Sequence, residues 1–289
     1  MVGTVLVAAG LLAVVSGWLL TDTNPNRGEA LKTGGLAAGS VVALYALWLN
    51  DRRRRTDEER QSLERDRQEL ESTRADHDRE RVADERFARA VEMLGNEADQ
   101  VRVGALHALA GLARNRPYYT QTVLDVFCSY LRRPFSFKPA NGEVDQNERQ
   151  VRITAQRLIA NLLPPATQAD APHYDLDLTG AELEYFDLSK RVIGRLIMRV
   201  TVLHESNALS GSRVHGNAYF TSARTLGRLY VDNVDFHGKA WFSKFSGDGP
   251  VHLEGTRFRG PTKFRDATFT ELDIETPPDR EPTPLPMSR

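Results

Sequence analysis

The chain has 289 residues, of which 27% are charged, and its 38 basic and 39 acidic side chains leave a formal net charge of -1. This near balance excludes the strongly basic character of a general nucleic-acid binder and the acidity of a highly charged disordered chain. A single cysteine excludes an internal disulfide framework and fits a reducing compartment.

Two apolar stretches within residues 1–50 predict a transmembrane helix hairpin. Residues 2–20 contain no charged side chain, and a stretch of this length crosses a hydrocarbon core of about 30 Å. The turn-rich residues 21–33 connect it to a shorter apolar stretch at residues 34–49, for which a buried helix of a soluble core is the alternative. A cleaved signal peptide is disfavoured because no basic residue precedes the first stretch.

Four consecutive arginines at positions 52–55 directly follow the second stretch. Basic residues next to a span mark its cytoplasmic end, so this pattern places both termini in the cytoplasm and only residues 21–33 outside. We therefore expect a multi-pass protein of the cytoplasmic membrane. The lipid bilayer is then one partner, and most of the chain lies on the cytoplasmic side.

Residues 51–84 form a predicted charged helical stalk. From residue 51 to residue 90 the sequence holds twelve arginines and thirteen acidic residues, without Gly or Pro. Opposite charges one helical turn apart, such as Arg65 and Glu69, stabilise an exposed helix by about 0.2–0.5 kcal/mol per pair. A coiled coil is the alternative, because Leu63 and Leu70 begin a heptad that polar residues then continue.

Residues 85–165 predict a module of packed helices, because apolar residues recur there at helical spacing. The segment Gln-Val-Arg-Val-Gly-Ala at residues 100–105 aligns with Gln-Val-Arg-Ile-Thr-Ala at residues 150–155, fifty residues later. This internal repeat resembles the paired helices of HEAT or armadillo proteins.

Residues 174–275 carry a five-residue period that neither a helix nor a flat strand produces. Bulky apolar residues occupy six consecutive positions of this period: Leu178, Leu183, Leu188, Ile193, Met198 and Leu203. The backbone must therefore turn a corner every five residues and coil. After a less regular part at residues 204–235, steps of five and six alternate, and Leu253 and Phe264 lie eleven residues apart. A small β domain with period-two strands is the alternative, which these positions fit poorly.

The pentapeptides Asp-Leu-Thr-Gly-Ala at residues 177–181 and Asp-Leu-Ser-Lys-Arg at residues 187–191 resemble those of the pentapeptide-repeat family. The resemblance implies a right-handed, square β-helix with four pentapeptides per coil. With the helical segment at residues 85–95, it extends to bacterial, actinobacterial-type two-span membrane proteins with a C-terminal pentapeptide-repeat domain. The predicted fold is thus α plus β-solenoid, followed by a disordered tail at residues 276–289.

The sequence contains no motif of a known catalytic, cofactor or metal site, so we expect no enzyme activity and assign no residue to such a site. Four polar residues lie close together in the sequence: His204, Ser206, Ser210 and His215. They suggest a hydrolase, but positions in surface loops explain them better. We interpret His107 as a packed or rim histidine, and Cys128 as a small core residue rather than a nucleophile.

Binding is the function that these observations favour, in the form of a membrane-anchored cytoplasmic scaffold for protein interactions. Such a scaffold would use outward side chains of the coil: Glu184, Tyr185, Arg195 and Arg199. The fourteen acidic and thirteen basic side chains of residues 174–275 favour an unknown cytoplasmic protein, or a second copy of the chain, over nucleic acid. Two alternatives remain: a DNA mimic that binds a topoisomerase-like partner, and an enzyme with an unrecognised site.

Overall fold

The computed structural model of the chain describes residues 27–137 and 142–273, together with isolated positions at Gly10, Ala13, Val14 and Gly17. The chain divides into two compact units, Met1–Glu80 and Arg81–Arg289. The predicted tail at residues 276–289 lies outside the described residues.

One long helix, α1 (Arg27–Met93), accounts for the described continuous part of the first unit and ends within the second. The side chains of residues 64–82 of this helix are all exposed. Ion pairs one turn apart support it, including Arg67 with Glu71 at 3.1 Å and Arg79 with Asp76 at 2.9 Å. Because both pairs are exposed, each stabilises the helix by only about 0.2–0.5 kcal/mol.

The predicted transmembrane hairpin has no support in the described residues. Its first span, residues 2–20, falls outside them except at the four isolated positions. Its second span, residues 34–49, lies inside α1, which passes without a break into the charged residues that follow. Among the described residues, no helix combines the length and the apolarity needed to cross a bilayer.

Three further helices and a short 3-10 turn form the helical module. They are α2 (Asp99–Asn115), the turn Pro117–Tyr119, α3 (Thr120–Leu131) and α4 (Gln146–Leu162). The C-terminal end of α1 joins their core through buried Ala83 and Ala90, and Leu94, directly after the helix, is buried in the same core. Helix α4 begins where the Asp145 carboxylate accepts hydrogen bonds from the backbone N–H groups of Asn147 and Glu148, at 3.0 and 3.1 Å.

The internal repeat predicted at an offset of fifty residues falls on α2 and α4, which are each 17 residues long. Ala105 of α2 and Ala155 of α4 are both fully buried, as are Leu109 and Ile159 four residues further along. The two helices pack against each other. The repeat therefore marks two helices that use the same positions to fill one core.

The second half of the chain coils into a parallel β-solenoid of about four turns, whose strands form three sheets that cover four faces, because one longer strand belongs to both the second and the third face. The first face contains β1 (Leu176–Asp177), β4 (Leu196–Ile197), β8 (Ala218–Tyr219), β12 (Ala240–Trp241) and β15 (Thr262–Lys263). The second face contains β2 (Glu182–Glu184), β5 (Val202–His204), β9 (Arg224–Thr225), β13 (Ser246–His252) and β16 (Thr268–Asp273). The third contains β6 (Ser206–Ala208), β10 (Arg228–Tyr230) and the C-terminal half of β13. The fourth contains β3 (Val192–Ile193), β7 (Arg213–Val214), β11 (Asp235–Phe236) and β14 (Arg257–Phe258).

The strand register shows how long each coil is. Leu176 pairs with Leu196, twenty residues later, which matches the predicted four pentapeptides. Leu196 then pairs with Ala218, and Ala218 with Ala240, so the later coils take 22 residues each. Two steps of eleven make one such coil, which explains the eleven-residue spacing seen in the sequence.

A residue with positive φ accompanies each half-coil in the longer turns. From Val200 onwards, apart from Glu205, these residues recur every eleven positions: Val200, Gly211, Ser222, Asn233, Lys244, Gly255 and Asp266. The left-handed conformation lets the chain change direction within a single residue, so this spacing fixes the corners of the coil.

Stacked apolar side chains fill the axis. Phe220, Phe242 and Phe264 lie in consecutive coils with centroid separations of 4.6 and 4.9 Å and nearly parallel rings. The first two coils place Leu178 and Met198 in the same column. The longer coils thus coincide with the larger side chains.

The less regular sequence at residues 204–235 belongs to the same solenoid. Some of its inward positions hold polar residues that bond to the backbone of the neighbouring coil, which hides the apolar period. The Asn207 side chain accepts a hydrogen bond from Phe186 N at 3.0 Å and donates one to His204 O at 2.7 Å. Buried polar groups are tolerated where such partners satisfy them.

A column of glycines runs between the fourth and first faces: Gly194, Gly216, Gly238 and Gly260. A Cβ atom added to Gly216 would lie 2.9 Å from the carbonyl oxygen of Gly194 in the coil before it. Successive backbones therefore approach too closely here for any side chain.

Candidate interaction surface

The first face carries a ladder of outward aromatic and basic side chains. Tyr219 pairs in register with Trp241, and Trp241 with Lys263, so the three side chains point outward from consecutive coils. The rings of Tyr219 and Trp241 meet edge to face, with centroids 5.3 Å apart and an interplanar angle of 78°. Both side chains are half-buried, which gives the surface a rigid aromatic base.

Cations cover the faces of both rings. The Arg199 guanidinium lies 4.6 Å from the centroid of Tyr219, and the Lys263 ammonium lies 4.5 Å from that of Trp241. Lys239 approaches Trp241 at 5.7 Å. These distances are those of cation–π pairs, which hold the long basic side chains over the rings.

We call this surface the basic aromatic face and define it by Arg195, Arg199, Tyr219, Lys239, Trp241 and Lys263. The outward positions of the described strands β4, β8, β12 and β15 and of their flanking residues carry no carboxylate. In the first coil, Asp175 lies 3.2 Å from Arg195, and Asp177 of β1 also interacts electrostatically with that arginine. The face is therefore locally basic, although the solenoid as a whole is balanced.

The structure separates the four outward residues that the sequence predicts for recognition. Arg195 and Arg199 are exposed on the basic aromatic face, and Tyr185 is exposed at another corner of the coil. Glu184 is instead buried, with 4% of its surface exposed. The expectation that Glu184 faces a partner was wrong, because helix α4 covers this part of the first coil.

Helices α3 and α4 cap the first coil of the solenoid through specific hydrogen bonds. The Gln121 amide donates to Asp175 O at 3.0 Å and accepts from Asp175 N at 2.8 Å. Arg149 binds the Glu184 carboxylate through two hydrogen bonds, at 2.7 and 2.6 Å. These contacts supply the cap that an open solenoid end requires.

We expect Glu184→Ala to lower the free energy of unfolding by about 1–2 kcal/mol, because it removes both bonds to Arg149 from a buried site. Denaturation of the purified protein by urea measures this loss. Exposed Glu254 provides the matched control, and Glu254→Ala should stay within about 0.5 kcal/mol of the parent. Equal effects of the two substitutions would contradict the buried ion pair.

The polar residues considered as a hydrolase site do not form one. His204 is buried and its Nε2 lies 2.9 Å from a Glu182 oxygen, beside the ring of Phe137. Ser210 donates to Asp232 at 2.6 Å on another face, and His215 belongs to a separate stack. Interpreting His204 as a surface-loop residue was also wrong, because it lies in β5 and Phe137 packs against it.

Of the other two residues singled out in the sequence, Cys128 lies in a core as interpreted, whereas His107 is not packed. His107 is exposed on α2. Cys128 is buried in the core of the helical module, and burial raises the pKa of its thiol to about 12, which makes it a poor nucleophile. Among the residues that the structure describes, no cluster of His, Cys, Asp and Glu side chains could hold a metal ion.

Three histidines stack on the outside of the solenoid, a feature that the sequence analysis missed. His173, His215 and His237 lie with successive ring centroids 3.9 and 4.6 Å apart. The 22-residue spacing of the last two is the signal that could have found them. Burial, the two flanking histidines and Arg213 lower the pKa of His215 below its usual range.

We expect the stack to make stability depend on pH. Because the folded-state pKa of His215 is lowered, the unfolded chain binds its proton first, so stability falls as the pH drops through about 6.5. Thermal melting at pH 7.5 and pH 5.5 measures this loss. His215→Phe keeps an aromatic ring in the stack and should reduce the pH dependence, whereas His107→Gln should leave it unchanged. An unaltered profile in His215→Phe would contradict this account.

No protein-family model, curated protein or solved structure matches this chain. Its class therefore rests on its own architecture: a helical N-terminal part followed by a parallel β-solenoid built from repeated coils.

Proposed function

We propose that the protein is a non-catalytic scaffold that binds another protein through the outer surface of its solenoid. The observation that carries this proposal is the contrast between the two sides of the coil. Inward side chains such as Phe220, Phe242 and Phe264 contact one another along the axis and leave no room between them for a ligand. Outward side chains on the first face form the basic aromatic face.

The helical module has a structural part in this proposal. Its hydrogen bonds to Asp175 and Glu184 hold the first coil in place, so the short strands that follow can stack on a fixed start. Recognition then uses side chains held on a rigid base, which reduces the entropy lost on binding. We also propose that the helical module is HEAT-like and that the solenoid is built from pentapeptide repeats.

Attachment to the cytoplasmic membrane is a further part of the proposal, and the sequence alone supports it. The uncharged residues 2–20 and the arginines at positions 52–55 are the supporting observations. A tether of this kind would place the helical module and the solenoid on the cytoplasmic side, where a second copy of the chain is another possible partner.

Introduced cysteines test this topology. We expect a cysteine at Asn26 to react with a membrane-impermeant thiol reagent in intact cells, and one at Ser288 to be protected until the cells are lysed. The native Cys128 is buried and should stay unlabelled in the folded protein. Protection at position 26 together with labelling at position 288 would contradict the proposed orientation.

Co-purification tests the scaffold itself. The full-length protein is isolated after crosslinking in cells, as the parent and as the variant Arg199→Gln/Lys239→Gln/Lys263→Gln. We expect a stoichiometric protein partner with the parent and its loss from the variant. The matched control, Lys190→Gln/Arg228→Gln/Arg257→Gln, removes the same number of charges from other positions and should retain the partner.

Two results would overturn the proposal. One is that the same set of proteins co-purifies with the parent and with both triple variants. The other is enzymatic turnover that persists through purification and disappears in His204→Ala or Ser206→Ala, because that would place chemistry in a site that the scaffold account leaves unused.

A further inference from the structure

We propose that the basic aromatic face binds an extended acidic peptide segment of a protein partner. This inference rests on the proposed scaffold function and specifies the chemistry of its partner. The first observation is charge: Arg195, Arg199, Lys239 and Lys263 point outward from one face, whose outward positions from the second coil onward carry no carboxylate. An anionic ligand is the complement of such a surface.

The cation–π pairs favour carboxylates over nucleobases. Single-stranded nucleic acids bind proteins largely by stacking bases on exposed aromatic faces. Here Arg199 covers Tyr219, and Lys263 and Lys239 flank Trp241, so the ring faces already hold the protein's own cations. The surface therefore presents fixed positive charges rather than free stacking platforms.

The dimensions of the face suit one extended chain. Its residues span four successive coils, from β4 to β15, and coils stacked at about 4.8 Å extend over roughly 15–20 Å. A peptide in an extended conformation covers this distance with about five or six residues at roughly 3.3 Å each. Alternate carboxylates of such a peptide would all point towards the face.

Trp241 provides an independent indication of an acceptor. Its indole Nε1 is shielded from solvent and finds no acceptor among the described residues. A buried donor without a partner costs free energy, which an acceptor on an incoming ligand would recover. A peptide supplies both backbone carbonyl and carboxylate oxygens.

A bilayer of anionic lipids fits less well, because it would also meet the adjoining faces. Asp235 lies on the fourth face and Asp248 on the second, where Arg259 and Arg224 pair with them. The arginines of these two pairs are thus already neutralised, whereas the outward positions of the first face carry no carboxylate from the second coil onward, and a single peptide chain stays within the width of that face.

The test uses the full-length protein in nanodiscs of neutral phosphatidylcholine and a fluorescently labelled hexaglutamate peptide as the probe. We expect the fluorescence anisotropy to show binding that weakens with salt. The variant Arg199→Gln/Lys239→Gln/Lys263→Gln should bind about tenfold more weakly. The control Lys190→Gln/Arg228→Gln/Arg257→Gln should bind like the parent. Trp241→Phe keeps the ring and removes its N–H group, and should weaken binding by about threefold.

Competing probes make the inference falsifiable. Absence of hexaglutamate binding, or equal affinity of the two triple variants, would overturn it. Tighter binding to oligothymidylate or to phosphatidylglycerol vesicles than to hexaglutamate would overturn it in favour of those ligands. If the co-purified partner depends on the face while hexaglutamate does not bind, the scaffold function stands and the acidic-peptide inference fails.

Discussion

Phe242→Ala should lower the free energy of unfolding by about 3–5 kcal/mol, the loss typical of a buried aromatic side chain. Phe242 is 1% exposed and stacks between Phe220 and Phe264, while Phe245 and Phe258 meet its edge. Its removal leaves a cavity in the centre of the coil that rigid neighbouring turns cannot fill. Urea denaturation followed by Trp241 fluorescence, with Trp18 and Trp48 replaced by Phe, reports on this part of the chain.

The next residue provides the control, because it begins the turn that follows β12 and is more exposed than Phe242. Ser243 is half-buried on the outer surface, and Ser243→Ala should change the stability by no more than about 0.5 kcal/mol. Similar losses from the two substitutions would contradict the assignment of inward and outward positions.

Gly238→Ala should destabilise the protein by about 3 kcal/mol, at the upper end of the usual cost of overpacking. A Cβ atom at this position would clash with the carbonyl group of Gly216 in the coil before it. That carbonyl belongs to the backbone of a packed turn and cannot move away without disturbing the ladder. The melting temperature and the urea midpoint both measure the effect.

Gly104 provides a control of opposite sign. It is exposed on helix α2, and no atom lies within 4 Å of an added Cβ. Gly104→Ala should therefore raise the stability by about 1 kcal/mol through helix propensity alone. Destabilisation by Gly104→Ala, or tolerance of Gly238→Ala, would contradict the structure of that segment.

The five-residue period predicted the coil because its apolar positions are those that fill the axis. Leu178, Leu183 and Leu188 are all buried, and the first coil has the predicted twenty residues. The eleven-residue spacing of Leu253 and Phe264 also indicated the longer coils. What the apolar pattern could not show is the register near residues 204–235, where buried Asn207 and Thr225 occupy inward positions.

The basic aromatic face was only half predictable from the sequence. Arg195 and Arg199 were expected to face outward, and they do. Tyr219 and Trp241 were not recognised, because they lie 22 residues apart and become neighbours only when the coil length is known. Glu184 was expected to be exposed for a similar reason. Its local sequence pattern is that of an outward position, and it is buried by contact with Arg149, 35 residues earlier in the chain.

Site-specific photo-crosslinking in living cells tests most directly the claim that the protein acts through its first face. A photoreactive amino acid replaces Ser243, which follows Trp241 on that face, or Arg228, which is exposed on the third face. We predict a discrete protein adduct from position 243, which disappears when Arg199, Lys239 and Lys263 are changed to Gln, and little adduct from position 228. Equal adducts from both positions, or an adduct from position 243 that survives the triple substitution, would contradict the account.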